Sequence, residues 1–252
     1  MGHSVSPQIH NSIFKETSLD ADYQLYEIKR EELCNIKDFM LRNSLSGVNV
    51  TIPYKQEIMP FLDEVSSEAR KIGAVNTVLR SGDSLIAFNT DYFGFGEMLK
   101  YHNISFQDKT VAVLGNGGAA KAVVSYLLDN GAEKVCIVSR NTAGDSRVIS
   151  YEQLFELNDF VIINTTPVGM HPDTNFCPIS DEIIKRSSAV VDLIYNPKDT
   201  LLIQKAKELR KPCCSGMYML VAQAAKAQEI WRDIKVSPEV IRKVFEIQNE
   251  DI

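Results

Sequence analysis

The sequence predicts an α/β protein in two parts, one of them built on a doubly wound parallel sheet. Three observations carry that prediction. From Thr110 to Gly216, short apolar runs alternate with helix-forming stretches, the rhythm of repeated βαβ units. A glycine-rich turn, Gly115-Asn116-Gly117-Gly118, sits between the first apolar run and the helix pattern after it. Ahead of this region lies a separate strand–helix–hairpin pattern, and behind it the chain is strongly helical. A chain of 252 residues with 44% hydrophobic content is long enough for one large domain or two small ones, each with its own core.

The elements follow in order. His3-Ser4-Val5-Ser6-Pro7 places two hydroxyls on alternate residues before a helix. Tyr23–Ile28 and Gly47–Ile52 read as strands, with a helical pattern from Arg30 to Leu41 between them. A helix is expected over Ile58–Ile72. A hairpin follows, with arms Ala74–Leu79 and Ser84–Asn89 and a turn at Ser81-Gly82-Asp83. Buried strands are expected at 110–114, 134–138, 160–164 and 189–194, with a short one at 212–214. Helices are expected from Ala119 to Leu128 and from Met219 to about Asp233. Ser237-Pro238-Glu239 supplies a cap, a proline and an acid to open a last helix.

Chemistry enters first at the glycine-rich turn. Gly115, Gly117 and Ala120 satisfy G-x-G-x-x-G/A, following an apolar strand and opening a helix. Gly115 allows the tight turn, Gly117 lets the backbone approach a pyrophosphate, and Ala120 lets helix and strand pack closely. The helix N-terminus offers unpaired N–H groups to an anion. The next strand ends in Ser139-Arg140-Asn141, where an enzyme preferring NAD usually places an acid on the ribose. No acid stands there; Asp145 comes later, after a Thr142-Ala-Gly stretch read as flexible. Arg140 suits the 2′-phosphate of NADP instead.

Charge and cysteine usage exclude other classes. A net charge of −6 and a pI near 5.3 argue against a nucleic-acid partner, which needs a basic face. Cys34, Cys136, Cys177, Cys213 and Cys214 form no CxxC pair and no ligand spacing with the histidines. They read as reduced thiols of a cytoplasmic protein with no metal site. No apolar stretch approaches the ~20 residues that span a bilayer, so no membrane partner is expected.

Outside the nucleotide turn, polar side chains gather at loop positions. Asn49-Val-Thr51-Ile-Pro53-Tyr-Lys55 ends a strand in a proline turn and projects a lysine. Gly73-Ala-Val-Asn76-Thr77 sets an amide and a hydroxyl at the next strand, and Asn89-Thr90-Asp91 closes the hairpin. Each alone has a plain structural explanation as a turn or cap residue. Together, many uncharged donors with one Lys and one Asp suit a polyhydroxylated small-molecule substrate.

These strings resemble the shikimate dehydrogenase family. They are HSVSPQIHN (3–11), NVTIPYK (49–55), GAVNT (73–77), NTDYFG (89–94), GNGGAAKA (115–122), NTTPVGM (164–170), DLIYNP (192–197) and GMYMLVAQAA (216–225). The resemblance implies a reversible reduction of 3-dehydroshikimate to shikimate with NADPH, in the pathway to chorismate and aromatic amino acids. It implies an N-terminal α/β substrate domain (1–91 plus 217–252), on which the C-terminal helices pack back, and a Rossmann NADP-binding domain (92–216). Lys55 would be the catalytic acid/base and Asp91 would hold it while binding the reacting hydroxyl. Ser4, Ser6 and Tyr195 would bind the substrate carboxylate, and Thr51, Asn76 and Gln223 the carboxylate or ring hydroxyls. Gly115, Asn116, Gly117, Gly118 and Ala119 would hold the pyrophosphate. Ser139, Arg140 and Asn141 would take the adenosine phosphate end, and Thr165, Leu193 and Gly216 the nicotinamide side.

Three departures stand out. The family's first strand, ahead of HSxSP, has no counterpart before His3, so an unpaired strand edge is expected, at several kcal/mol by burial arithmetic. The usual N-R-T is Ser139-Arg140-Asn141, and an acid often found after the lysine is Ser67. Two other readings share most motifs: an NAD-dependent quinate/shikimate dehydrogenase, and a non-catalytic truncated paralogue. The oligomeric state is not legible; a homodimer is the assembly considered.

Overall fold

Pro7 in the first turn and Ser18 in the left-handed conformation bound the first helix, α1 (Ser6–Thr17). It buries Ile9, His10, Ile13 and Phe14, one face at helical spacing. The structure is a computed structural model that describes residues 4–141 and 145–250. Expectations resting on Met1–His3, on Thr142–Gly144 and on Asp251–Ile252 lie outside those residues. The chain divides into two compact units, one running up to Gly94 and resuming over Leu220–Glu250, the other spanning Phe95–Met219.

In the first unit the expected strand at Tyr23–Ile28 does not form: those residues join no ladder. A strand needs a neighbour for its backbone groups, and Tyr23 is anchored through its side chain instead. Arg30 begins a 3₁₀ turn that runs into α2 (Ile36–Arg42). The strand after it, β1 (Gly47–Asn49), is shorter than expected, because the chain turns at Thr51 and Pro53.

The expected helix over Ile58–Ile72 is broken in three. Pro60 sits in a 3₁₀ turn (Met59–Phe61), and Leu62 is extended. Two residues then form β2 (Glu64–Val65), parallel to a later strand. Only α3 (Ser67–Ile72) is helical, started by the Ser66 hydroxyl, which accepts from the Ala69 N–H, and stopped at Gly73 with φ 71°. The hairpin forms as expected, with β3 (Thr77–Ser81) and β4 (Ser84–Phe88) turning at Gly82, φ 61°. The sheet order is β1-β3-β4-β2. Its apolar face packs on Leu33, Ile36, Met40 and Ile58.

A helix not anticipated from the sequence, α4 (Thr90–Tyr101), leads into the second unit, and Gly94 and Gly96 obscure its pattern. Gly96 lies under the Tyr126 ring, which leaves no room for a Cβ. Then come β5 (Thr110–Leu114), α5 (Gly118–Asp129), β6 (Lys134–Val138), β7 (Val148–Ile149) and β8 (Phe160–Asn164). These are followed by α6 (Asp181–Arg186), β9 (Ser187–Asp192), α7 (Leu201–Glu208) and β10 (Cys213–Cys214). The six strands are parallel in the order β10-β9-β8-β5-β6-β7, so the chain winds outward in both directions from β5. β5 and β8 are apolar almost throughout, as strands buried on both faces of a parallel sheet are. The switch point lies between β5 and β8, where doubly wound sheets bind ligands beyond their carboxyl ends.

The chain ends in α8 (Met217–Arg232) and α9 (Pro238–Glu250). Helix α9 packs on α1, with a Lys243–Glu16 ion pair at 2.6 Å. Trp231 covers Gly47 of the edge strand and donates its indole N–H to the Val78 carbonyl. No helix among the described residues is long and apolar enough to cross a membrane.

Candidate active site and cofactor cradle

The hairpin assembles the first cluster. Pairing of β3 with β4 sets Asn76, just before β3, beside Phe88 at the end of β4, with the Asn76 N–H on the Phe88 carbonyl. The lysine turn is tied to the same place, because the Val75 N–H donates to the Lys55 carbonyl at 2.8 Å. Asn89 fixes the far side: its amide donates to the Ala74 carbonyl and its Oδ1 accepts from the Asp91 N–H, which starts α4. Three segments distant in sequence thus meet at one point.

There Lys55 Nζ lies 2.6 Å from Asp91 Oδ2, both side chains largely buried at 14% and 8% exposure. The other carboxylate oxygen accepts from Asn76 Nδ2 at 2.9 Å. The Thr90 hydroxyl and Asn76 Nδ2 converge on Gln223 Oε1 of α8, while Gln223 Nε2 donates to the Leu220 carbonyl. Removing either ion would leave its partner buried and unpaired, which is costly. The pair is an ammonium held in a fixed direction by an oriented carboxylate, an arrangement able to pass a proton to an oxygen placed beside it.

Of the residues expected in the substrate site, Lys55, Asp91, Asn76 and Gln223 therefore come together. Ser4, Ser6 and Thr51 belong to the same unit, but no hydrogen bond among the described residues joins them to this cluster. Ser6 N donates to the Ser4 hydroxyl at the start of α1, and Thr51 is exposed, its carbonyl accepting from the Tyr54 N–H. Tyr195 belongs to the second unit, half-buried, and burial raises its phenol above the usual range.

The second cluster lies at the carboxyl ends of β5, β6, β8 and β9. Gly115 takes φ 102°, a conformation that disfavours other residues, and a Cβ there would press on the Thr165 hydroxyl. Gly117 differs: its φ is −87°, it caps α5, and a Cβ would meet nothing within 4 Å. Its glycine is therefore not required by packing, and the space above it is open. Asn116 is exposed beside it, and Gly118 and Ala119 form the first turn of α5, whose N–H groups face outward along the helix axis. Ser139, Arg140 and Asn141 leave the end of β6; the Ser139 hydroxyl accepts from the Asn141 N–H, and Arg140 is exposed, its charge reaching Tyr151. Thr165 donates to the Leu114 carbonyl at 2.6 Å, and a Cβ on Gly216 would run into the Leu193 carbonyl.

Several polar groups to which the sequence assigns no individual role join these clusters. Thr77, Thr90 and Asn49 complete the polar cluster of the first unit. In the second, Asn164 and Asp192 pair across β8 and β9 at 3.0 Å, and Asp192 also accepts from the Ile194 N–H and the Thr200 hydroxyl. Burial pushes the Asp192 carboxyl up to about 6, against the lowering effect of those three donors. An acid at the end of a buried strand is the available signal.

Comparison with known proteins places this geometry. Residues 1–78 match the family model of the shikimate dehydrogenase substrate binding domain. A shikimate dehydrogenase (NADP(+)) of Clostridium beijerinckii is 42% identical over 258 residues, covering 99% of this chain and 96% of that one. A crystal structure of a chorismate mutase/shikimate 5-dehydrogenase fusion protein from Clostridium acetobutylicum superposes with a TM-score of 0.96 at 43% identity, covering 100% of this chain and 95% of that one. Shikimate 5-dehydrogenase of Thermus thermophilus, solved with NADP(H) and shikimate, matches at a TM-score of 0.86 and 31% identity, over 98% of this chain and 95% of that one. On identity and coverage of this extent, the chain belongs to the shikimate dehydrogenase family.

Proposed function

We propose that the protein is an NADP-dependent shikimate dehydrogenase, reversibly reducing 3-dehydroshikimate to shikimate on the route to chorismate and the aromatic amino acids. The observation that carries this reading is the buried Lys55–Asp91 pair, oriented by the Asn76 amide. In the direction of reduction, Lys55 Nζ gives its proton to the C3 oxygen as the carbonyl becomes a hydroxyl. Asp91 keeps Nζ aimed and accepts from the new hydroxyl. Ser4, Ser6, Thr51 and Tyr195 are assigned to the substrate carboxylate and hydroxyls, with Asn76 and Gln223 framing the reacting end. We read the unit carrying Lys55 as the substrate domain and the Phe95–Met219 unit as the nucleotide domain.

The cofactor supplies the hydride when bound. The residues that would hold it are Gly115 to Ala119 at the pyrophosphate, Ser139 to Asn141 at the adenosine end, and Thr165, Leu193 and Gly216 beside the nicotinamide. The open space above Gly117 fits that role. The NADP(+)-dependent relatives and the absence of an acid after β6 favour NADP over NAD. Five free thiols among the described residues suit a reducing cytoplasm. The test is Lys55→Ala: it should fold, quench or enhance NADPH fluorescence as the wild type does, and lose about 10²–10⁴-fold in turnover. Near-normal turnover would remove Lys55 from the chemistry and with it this assignment.

A further inference from the structure

Both oxygens of Asp91 are occupied, one by Lys55 and one by the Asn76 amide, so whatever orients that amide also orients the pair. Tracing donors backward from Asp91 gives a line of donation that is joined at Asn76 by the Thr90 N–H, which donates to Asn76 Oδ1 at 2.7 Å. Asn76 Nδ2 donates to Asp91, and Asn76 Oδ1 accepts from the Thr77 hydroxyl at 3.0 Å. Thr77 in turn accepts from Asn49 Nδ2 at 3.1 Å, and Asn49 Oδ1 accepts from the Tyr23 phenol at 3.0 Å. Asn49 cannot be turned over, because its amide nitrogen also donates to the Asn76 carbonyl. Burial pushes the Tyr23 phenol up to about 12, so it stays protonated and donates. Its ring is stacked on buried His10 at 3.9 Å, which fixes where the hydroxyl points. Burial, opposed by Asn49, lowers His10 to about 3 and keeps that neighbour neutral.

We infer that Tyr23 and Asn49 are positioning residues: they head an ordered line of hydrogen bonds, Tyr23 to Asn49 to Thr77 to Asn76, that fixes Asp91 and hence Lys55. Aligned hydrogen bonds polarise one another in a low-dielectric interior, so cutting the line at its head loosens its far end. Tyr23 also gains a reason for its position in a segment that joins no sheet. The role rests on the dehydrogenase reading of the Lys55–Asp91 pair.

The test is Tyr23→Phe, which keeps the ring stack and removes the donor. Turnover with shikimate and NADP should fall about 3- to 10-fold, with KM for either moving less than twofold and the melting temperature little changed. Asn49→Ser, which cuts the same line one step nearer Asp91, should give the same split. In a Thr77→Val background the line is already broken, so Tyr23→Phe should add almost nothing. Wild-type turnover from Tyr23→Phe, or its full loss repeated on Thr77→Val, would overturn the inference. If the wild type itself fails to oxidise shikimate, the enzymatic reading falls alone. The Asn76 side-chain amide protons then decide: slow exchange that quickens in Tyr23→Phe supports the line, and equal exchange overturns it.

Discussion

Two glycines show how a single atom separates packing from binding. Gly216 has the Leu193 carbonyl where a Cβ would go, whereas Gly117 has open space and an ordinary φ of −87°. Gly216→Ala should therefore destabilise the fold by about 1–3 kcal/mol, read as a lower denaturant midpoint. Gly117→Ala should leave the midpoint unchanged while weakening NADPH about 10- to 100-fold, since its methyl occupies the space assigned to pyrophosphate. Unchanged NADPH affinity would detach Gly117 from the cofactor. Arg140, exposed at the end of β6, makes the complementary case. Arg140→Asp should weaken NADP at least about 10-fold while NAD moves little, and equal weakening of both would reject the 2′-phosphate role. At this scale the sequence spoke through residue type: a lysine, an aspartate and an amide in loops suggested a polar site. What it could not convey was consumption of donors. Asn76, expected to face substrate, spends its amide on Asp91 and on its neighbours Thr90 and Gln223.

At the scale of elements, the carboxyl ends of β8 and β9 are pinned by one buried acid. Asp192 ties Asn164 of β8 to the loop at Ile194 and to Thr200, whose hydroxyl also caps α7 through the Ile203 N–H. Its carboxyl titrates at about 6 in the fold against an ordinary 3.8, because burial disfavours the charge. The folded state therefore binds the proton first. The stability this contributes is complete below about pH 4 and is lost as pH rises through 6, up to about 3 kcal/mol. Asp192→Asn should lose that dependence, so the melting temperature of the wild type relative to the variant should fall between pH 4 and pH 7. A constant difference would mean the carboxyl is not buried as described. The strands that formed as expected are those with continuous apolar runs, such as Phe160–Asn164, and the hairpin, whose Ser81-Gly82-Asp83 turn leaves little choice. The helix expected over Ile58–Ile72 does not form, because a proline turn and a fresh helix cap override its apolar spacing. Pro60 and the capping Ser66 were local signals that the chain breaks there. Asn164 and Asp192 are 28 residues apart, and only the register of β8 on β9 sets them opposite one another.

The whole molecule comprises two units, one holding the Lys55–Asp91 pair and the other the glycine turn at a topological switch point. Alternating apolar runs and the glycine turn made the second unit readable, since a buried parallel sheet imposes its composition on the sequence. The first unit was harder. Its sheet is small and mixed, one strand is two residues long, and the segment at Tyr23–Ile28 is held by side chains rather than by a ladder. Its order depends on the helices α8 and α9, more than 120 residues downstream of the hairpin, which local periodicity cannot reveal. The central claim is hydride chemistry on a polyhydroxylated acid. It is met most directly by following nicotinamide absorbance with shikimate and NADP, in parallel with NAD and with quinate. Rapid reduction of NADP by shikimate, with NAD and quinate far slower, is the expected result. Absence of NADP reduction from a folded protein would contradict the account, and NAD reduced as well as NADP would contradict the role given to Arg140.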